Sequence, residues 1–233
     1  MWHGLGKSLA AAAVLALAVA APASAATLAD WEMNEGSGAQ TMIDSSGHVN
    51  GTIGSAVETG VSLMGATAYR WPFTSPTNPP AKPERLVQVK SSSLNPGSGT
   101  YTVSLRYETT KHFGNIVQKG QAGSPGGYFK LENPHGQMKC TFRGLNSSGT
   151  LVRKAVESPT VLSDGKWHVA TCTRTANAVT LSIDGTVVDT ARGSTGNISN
   201  TRPLTIGGKL NCDQIKTTCD YFTGAIDWVR ISN

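Results

Sequence analysis

Between residues 162 and 190 the chain alternates apolar and polar positions with little interruption. Val179, Leu181 and Ile183 fall on one side of an extended run, and Thr180 and Ser182 on the other. A period of two gives a strand one dry face and one wet face. Trp167 to Arg174, just ahead, is rich in β-branched and aromatic residues, which suit a pleated, half-buried surface. Asp184-Gly185 then stands between two extended runs. That dipeptide supplies the positive φ angles of a type I′ turn, whose twist matches the strands it joins. The stretch reads as three antiparallel strands, the last two a tight hairpin.

The same reading predicts strands along the whole chain. Leu28 to Met33, Thr41 to Ile43, Val61 to Leu63, Tyr69 to Phe73 and Arg85 to Val89 come first. Tyr101 to Thr109 follows, with Tyr101, Val103, Leu105 and Tyr107 sharing one face. Asn115 to Lys119, Tyr128 to Glu132, Met138 to Arg143 and Leu151 to Val156 form a meander into the hairpin, and Leu204 to Gly207 and Phe222 to Ser232 close the sheet. Asp44 to Gly51 is rich in turn formers, and Thr74 to Pro83 carries Pro76, Pro79, Pro80 and Pro83, so both read as loops. Neither a helical period nor an internal repeat is present. A fold that buries this many alternating faces is a two-sheet antiparallel β-sandwich of the jelly-roll kind.

Composition sharpens the compartment. Lys7, an Ala-rich apolar run from Leu9 to Ala21 and then Ala23-Ser24-Ala25 have the layout of a cleaved signal peptide over residues 1–26. That leaves one domain over residues 27–233 and predicts a secreted, extracellular, soluble protein without membrane insertion. Charged residues make up only 15% of the chain and Gly numbers 26, which suits many short strands and turns. The formal charge of +5 is scattered rather than clustered, so nucleic acid is not an expected partner. Four cysteines, Cys140, Cys172, Cys212 and Cys219, argue for two disulfides in an exported chain. Three pairings are possible. Cys212 with Cys219 closes a short loop and is favoured, leaving Cys140 with Cys172 on strands expected to be neighbours. The spacing matches no zinc ribbon.

Asp164-Gly165-Lys166-Trp167-His168-Val169-Ala170 with Leu181-Ser182-Ile183-Asp184-Gly185 resembles the laminin-G-like, concanavalin A-like jelly-roll family. Three further stretches agree in order. These are Trp31 to Gly38 with Asp44-Ser45-Ser46-Gly47 and Asn50-Gly51, then Ser93-Leu94-Asn95-Pro96 before Tyr101 to Leu105, and finally Phe222 to Ile231. The resemblance supports the fold and leaves function open, because the fold carries lectins, glycosidases, adhesion modules and carriers. It implies one structural calcium ion joining the first and last segments, with Asp44, Asn50 and Asp227 as candidate metal ligands. Separately, the expected strand topology offers Tyr107, His112, Tyr128 and Arg143 as ligand-binding candidates lining a concave sheet.

Catalysis has little support. Glycoside hydrolysis needs two carboxylates about 5 to 9 Å apart. The nearest run is Asp30, Glu32 and Glu35, of which Glu35 is out of phase. No G-x-S-x-G, H-E-x-x-H or phosphate loop occurs, and His48, His112, His135 and His168 stand apart from one another in the chain. Asp213 and Asp220 offer too little for a second calcium. Sugar recognition needs aromatic platforms among hydrogen-bonding groups. Tyr69, Trp71 and Phe73 share a face by alternation and read as core, as do Trp167 and Trp228. The expectation is a non-enzymatic, monomeric binding module whose partner is a glycan, a cell-surface polysaccharide or an extracellular protein. The alternatives are a structural or interaction domain without sugar affinity and, last, a glycoside hydrolase.

Overall fold

The computed structural model describes residues 1–2, 25–73, 84–212 and 219–233. Most of the predicted signal peptide, the proline-rich segment Thr74 to Pro83 and Asp213 lie outside the described residues. Among the described residues sixteen strands are formed. They are β1 (Thr27–Trp31), β2 (Thr41–Met42), β3 (Gly51–Ile53), β4 (Glu58–Leu63), β5 (Ala66–Trp71), β6 (Val87–Val89), β7 (Tyr101–Glu108) and β8 (Asn115–Lys119). They continue with β9 (Tyr128–Glu132), β10 (Lys139–Leu145), β11 (Leu151–Glu157), β12 (His168–Arg174), β13 (Ala178–Ile183), β14 (Thr186–Arg192), β15 (Leu204–Ile206) and β16 (Gly224–Ser232). β3 is not among the predicted strands, and its first residue, Gly51, falls at the end of the predicted Asp44 to Gly51 loop.

The strands form two antiparallel sheets. The first runs β14-β13-β12-β7-β16-β5-β4, with β1 also on β16, and the second runs β11-β10-β9-β8-β15-β6-β3-β2. Alternation decides the faces. On β7, Tyr101, Val103, Leu105 and Tyr107 are buried, while Thr102, Ser104, Arg106 and Glu108 are half-buried on the other side. The hairpin forms as predicted, with Asp184 at φ 50° and Gly185 at φ 82° between β13 and β14. Between the sheets lies one continuous apolar core, where Phe129 stacks on Phe142 at 5.7 Å and Tyr101 meets both rings.

Both favoured disulfides are present, Cys140–Cys172 and Cys212–Cys219. Cys140 and Cys172 are not on neighbouring strands, however. Cys140 is on β10 of the second sheet and Cys172 on β12 of the first, and both point inward. Their bond therefore crosses the core and ties sheet to sheet. At the rim of the core Arg174 is 1% exposed, and its guanidinium donates to the carbonyls of Pro96, Gly97, Gly99 and Gly196. The first and last strands meet: Ala26 N–H donates to the Asn233 carbonyl at 2.9 Å, and Asn233 N–H returns a bond to Ala26 at 3.0 Å.

Two tryptophans correct the sequence reading. Trp167 and Trp228 are half-buried on the outer face of the first sheet, not in the core. A register shift between Ile226 and Trp228 resets the alternation of β16, so that Val229 and Ile231 point inward and Trp228 outward. Of the trio on and beyond β5, Tyr69 and Trp71 are buried, but Phe73 lies past the strand end and is 54% exposed under Lys111.

Candidate functional site

The outer faces of the two sheets differ in chemistry. That of the first sheet is closed by side chains that satisfy one another. Thr102 pairs with Thr173 at 3.1 Å and Ser104 with Thr171 at 2.8 Å, as cross-strand hydroxyl ladders do. Arg106 lies over Trp167 and binds Asp227 at 2.6 Å, while Arg230 lies over Trp228 and binds Asp30 and Glu32. Nor is His168 isolated: its Nδ1 is 2.8 Å from Asp184 and its Nε2 3.1 Å from Asp164. Asp184 also accepts the Val169 N–H at 2.7 Å, so the hairpin turn is tied to β12.

The outer face of the second sheet holds a groove of about 240 Å³. Cross-strand register builds it. Gln118 on β8 stands opposite Thr205 on β15 and Lys130 on β9, Lys130 stands opposite Thr141 on β10, and Tyr128 stands opposite Arg143. The wall adds Phe113, Asn115, Glu132, Lys209 and Asp220. Asn115 donates to Gln118 at 3.0 Å, and both are buried. Among the described residues, the carboxylates lining the groove are each held by a lysine, Glu132 by Lys130 at 2.5 Å and Asp220 by Lys209 at 2.5 Å. The result is a narrow, mostly polar trough of fixed amides, hydroxyls and ion pairs with Tyr128 and Phe113 as its aromatic surfaces.

Of the four sequence-predicted ligand residues, the fold brings two together. Tyr128 lines the groove and Arg143 lies directly across from it. His112 sits instead on the loop after β7, 3.5 Å from the His135 carbonyl. Tyr107 is fully enclosed between the sheets, because it shares the inward face with Val103 and Leu105, and burial raises the pKa of its hydroxyl. The groove residues missed by sequence reasoning are Asn115, Gln118, Lys130 and Glu132. On β9, Tyr128, Lys130 and Glu132 share a face by simple alternation, and that signal was available.

The three candidate metal ligands are not arranged as a cation site. Asp44 uses both carboxylate oxygens on donors: the backbone N–H groups of Asp30, Ser46, His48 and Val49 and the Ser46 hydroxyl. Burial works to raise its pKa, but these hydrogen bonds hold the carboxyl below the usual value. Asn50 accepts the Asp44 N–H at 2.9 Å, and Asp227 is committed to Arg106. Among the described residues no group of three or more His, Cys, Asp and Glu stands where it could hold a metal ion. The residues present therefore do not fit the calcium implied by the resemblance. Asp44 instead staples the loop after β2 to β1.

Among the described residues no helix is long and apolar enough to cross a membrane. The sequence profile of the Laminin_G_3 family, described as the concanavalin A-like lectin/glucanases superfamily, matches residues 84–233. None of the curated proteins matches the chain. Among solved structures, domain 4 of an extracellular arabinanase from Geobacillus stearothermophilus, in complex with arabinotriose, is 17% identical with a TM-score of 0.60, over 90% of this chain and 93% of that one. The binding domain of botulinum neurotoxin DC in complex with rat synaptotagmin II is 13% identical with a TM-score of 0.61, over 88% of this chain and 48% of that one. Domains LG4-5 of the mouse laminin α1 chain are 21% identical with a TM-score of 0.50, over 63% of this chain and 38% of that one. The chain thus spans less than half the length of the laminin and neurotoxin chains it matches. At these identities the likeness is one of fold.

Proposed function

The chain belongs to the concanavalin A-like lectin/glucanases superfamily, and we propose that it is a secreted, non-catalytic module that binds a glycan in the groove on the outer face of its second sheet. The observation that carries the reading is the lining of that groove. Buried amides of Asn115 and Gln118 line it beside Tyr128 and Lys130, with Arg143 next to Tyr128 on the neighbouring strand, a set of fixed donors and acceptors suited to sugar hydroxyls. Glu132 and Asp220, the lining carboxylates among the described residues, are each engaged by a lysine, which supports a binding role over glycoside cleavage. An arabinanase domain of similar fold binds arabinotriose, which makes arabino-oligosaccharides the first ligands to try. Two disulfides favour an oxidising compartment and so action outside the cell.

The test is calorimetric titration of the mature chain with arabinotriose and a panel of cell-wall polysaccharides, with and without chelator, alongside an assay for new reducing ends. Saturable binding without new reducing ends is expected, unchanged by chelator. Substituting Arg143→Ala or Lys130→Ala is expected to weaken it about tenfold, the loss of one charge-assisted hydrogen bond. Release of reducing ends would make the protein an enzyme. No binding across the panel would return the weight to a protein partner.

A further inference from the structure

A second pocket, of about 540 Å³, opens at one end of the sandwich between the loops of residues 90–100 and 193–203. It is a built site. Asn200 is pinned three ways: its N–H donates to Asn95 Oδ1 at 3.1 Å, its Nδ2 to the Gly127 carbonyl at 2.9 Å, and its Oδ1 accepts the Arg202 N–H at 3.0 Å. Ser199 N–H donates to the Gly126 carbonyl at 2.9 Å. Gly126, in the turn between β8 and β9, holds φ at 80°, and a Cβ there would lie 1.8 Å from the Ser199 carbonyl oxygen, so that turn touches the 193–203 loop backbone to backbone.

The charge in this pocket has one sign. Its charged lining residues are Lys90, Lys119 and Arg202, and no carboxylate among the described residues lines it. Lys119 faces inward on β8 and is 1% exposed. Its ammonium carries three N–H groups, and the bond it makes is to the Arg202 carbonyl at 2.5 Å. Desolvation alone pushes its pKa down to about 8. Lys209 is similarly buried at 5%, yet has Asp220 at 2.5 Å. A buried cation without a counter-charge is unfavourable unless something supplies the charge.

We infer that this pocket is an oxyanion site, taking one carboxylate, phosphate or sulfate group against Lys119, with Lys90 and Arg202 at its walls. The group is either part of an acidic saccharide or a free inorganic ion. The site lies apart from the groove on the second sheet and does not rest on the reading of that groove.

The experiment is titration calorimetry of the mature chain at low ionic strength with inorganic phosphate, with sulfate and with a galacturonate disaccharide. Saturable binding is expected. Lys119→Met, which keeps the stem and removes the charge, is expected to weaken it about tenfold or more. Raising the pH from 7 to 9 is expected to weaken binding by the wild type as Lys119 loses its proton, and to change Lys119→Met less. If Lys119→Met does not fold, Arg202→Gln, which retains the backbone carbonyl, is expected to show a similar loss. Tighter binding of the disaccharide than of the inorganic ions identifies the saccharide as the source, and the reverse identifies the free ion. No saturable binding of the three probes, or equal affinity in wild type and Lys119→Met, overturns the inference.

Discussion

Arg174 and Lys119 are two cations, each 1% exposed, at the same pair of loops, and they are buried on opposite terms. Arg174 ends β12 and spreads a planar fork into four carbonyls of residues 96, 97, 99 and 196 while lying over the Phe142 ring. Its pKa is lowered by burial to about 10, so it stays charged at neutral pH. Lys119 ends β8 as a point charge with the Arg202 carbonyl as its acceptor. The difference teaches what each geometry is for. A guanidinium can be satisfied by backbone alone and so can close a fold, whereas an ammonium facing one carbonyl leaves unmatched charge at a pocket wall.

The largest blow to this contrast is Arg174→Met, which strips the donors from four carbonyls at once. It is expected to lower stability by about 3–5 kcal/mol in urea denaturation, as breaking a buried charged network does. Arg174→Lys should follow at about 1–3 kcal/mol, because a point charge cannot reach carbonyls in several directions. Lys119→Met is expected to be neutral or to stabilise by up to about 1 kcal/mol, because it removes an unmatched buried charge. A loss as large as that of Arg174→Met would make Lys119 a second staple and end the contrast. The smallest effect is a pH trend. Below about pH 8 Lys119 is charged in both states, but between about 8 and the ordinary 10.5 the unfolded chain holds more protons than the folded one. Wild-type stability should therefore rise with pH across that window relative to Lys119→Met, and thermal melts of the two proteins from pH 7 to 10 measure it.

The strand pattern was legible because burial follows a period of two. Alternation on β7, the Asp184-Gly185 turn and the short Cys212–Cys219 loop depend on neighbours in the chain. What escaped depends on packing between sheets or on a shift of phase. The Cys140–Cys172 pairing was legible, but its place was not: the bond runs between sheets, because β10 and β12 face each other across the core. Trp228 was misplaced because the bulge in β16 is invisible in a run of mixed residues. Tyr107 was assigned to an open face although its phase with Leu105 already put it inside. Lys119 is the converse: its phase with Val117 predicts an inward side chain, but nothing local says that a pocket opens there. The groove was half legible, through Tyr128 and Arg143, because Asn115 and Gln118 gain their meaning only from strands paired beside them.

Ala26 and Asn233 bond to each other, so the chain enters and leaves the domain at one point. A pull on the two ends would load the β1–β16 rungs one after another, as in a zip, rather than all together in shear. The N-terminal strand would then peel away first under tension. The bond between Cys140 and Cys172 would keep the span between them from lengthening, so extension would stop short of the full contour of the chain.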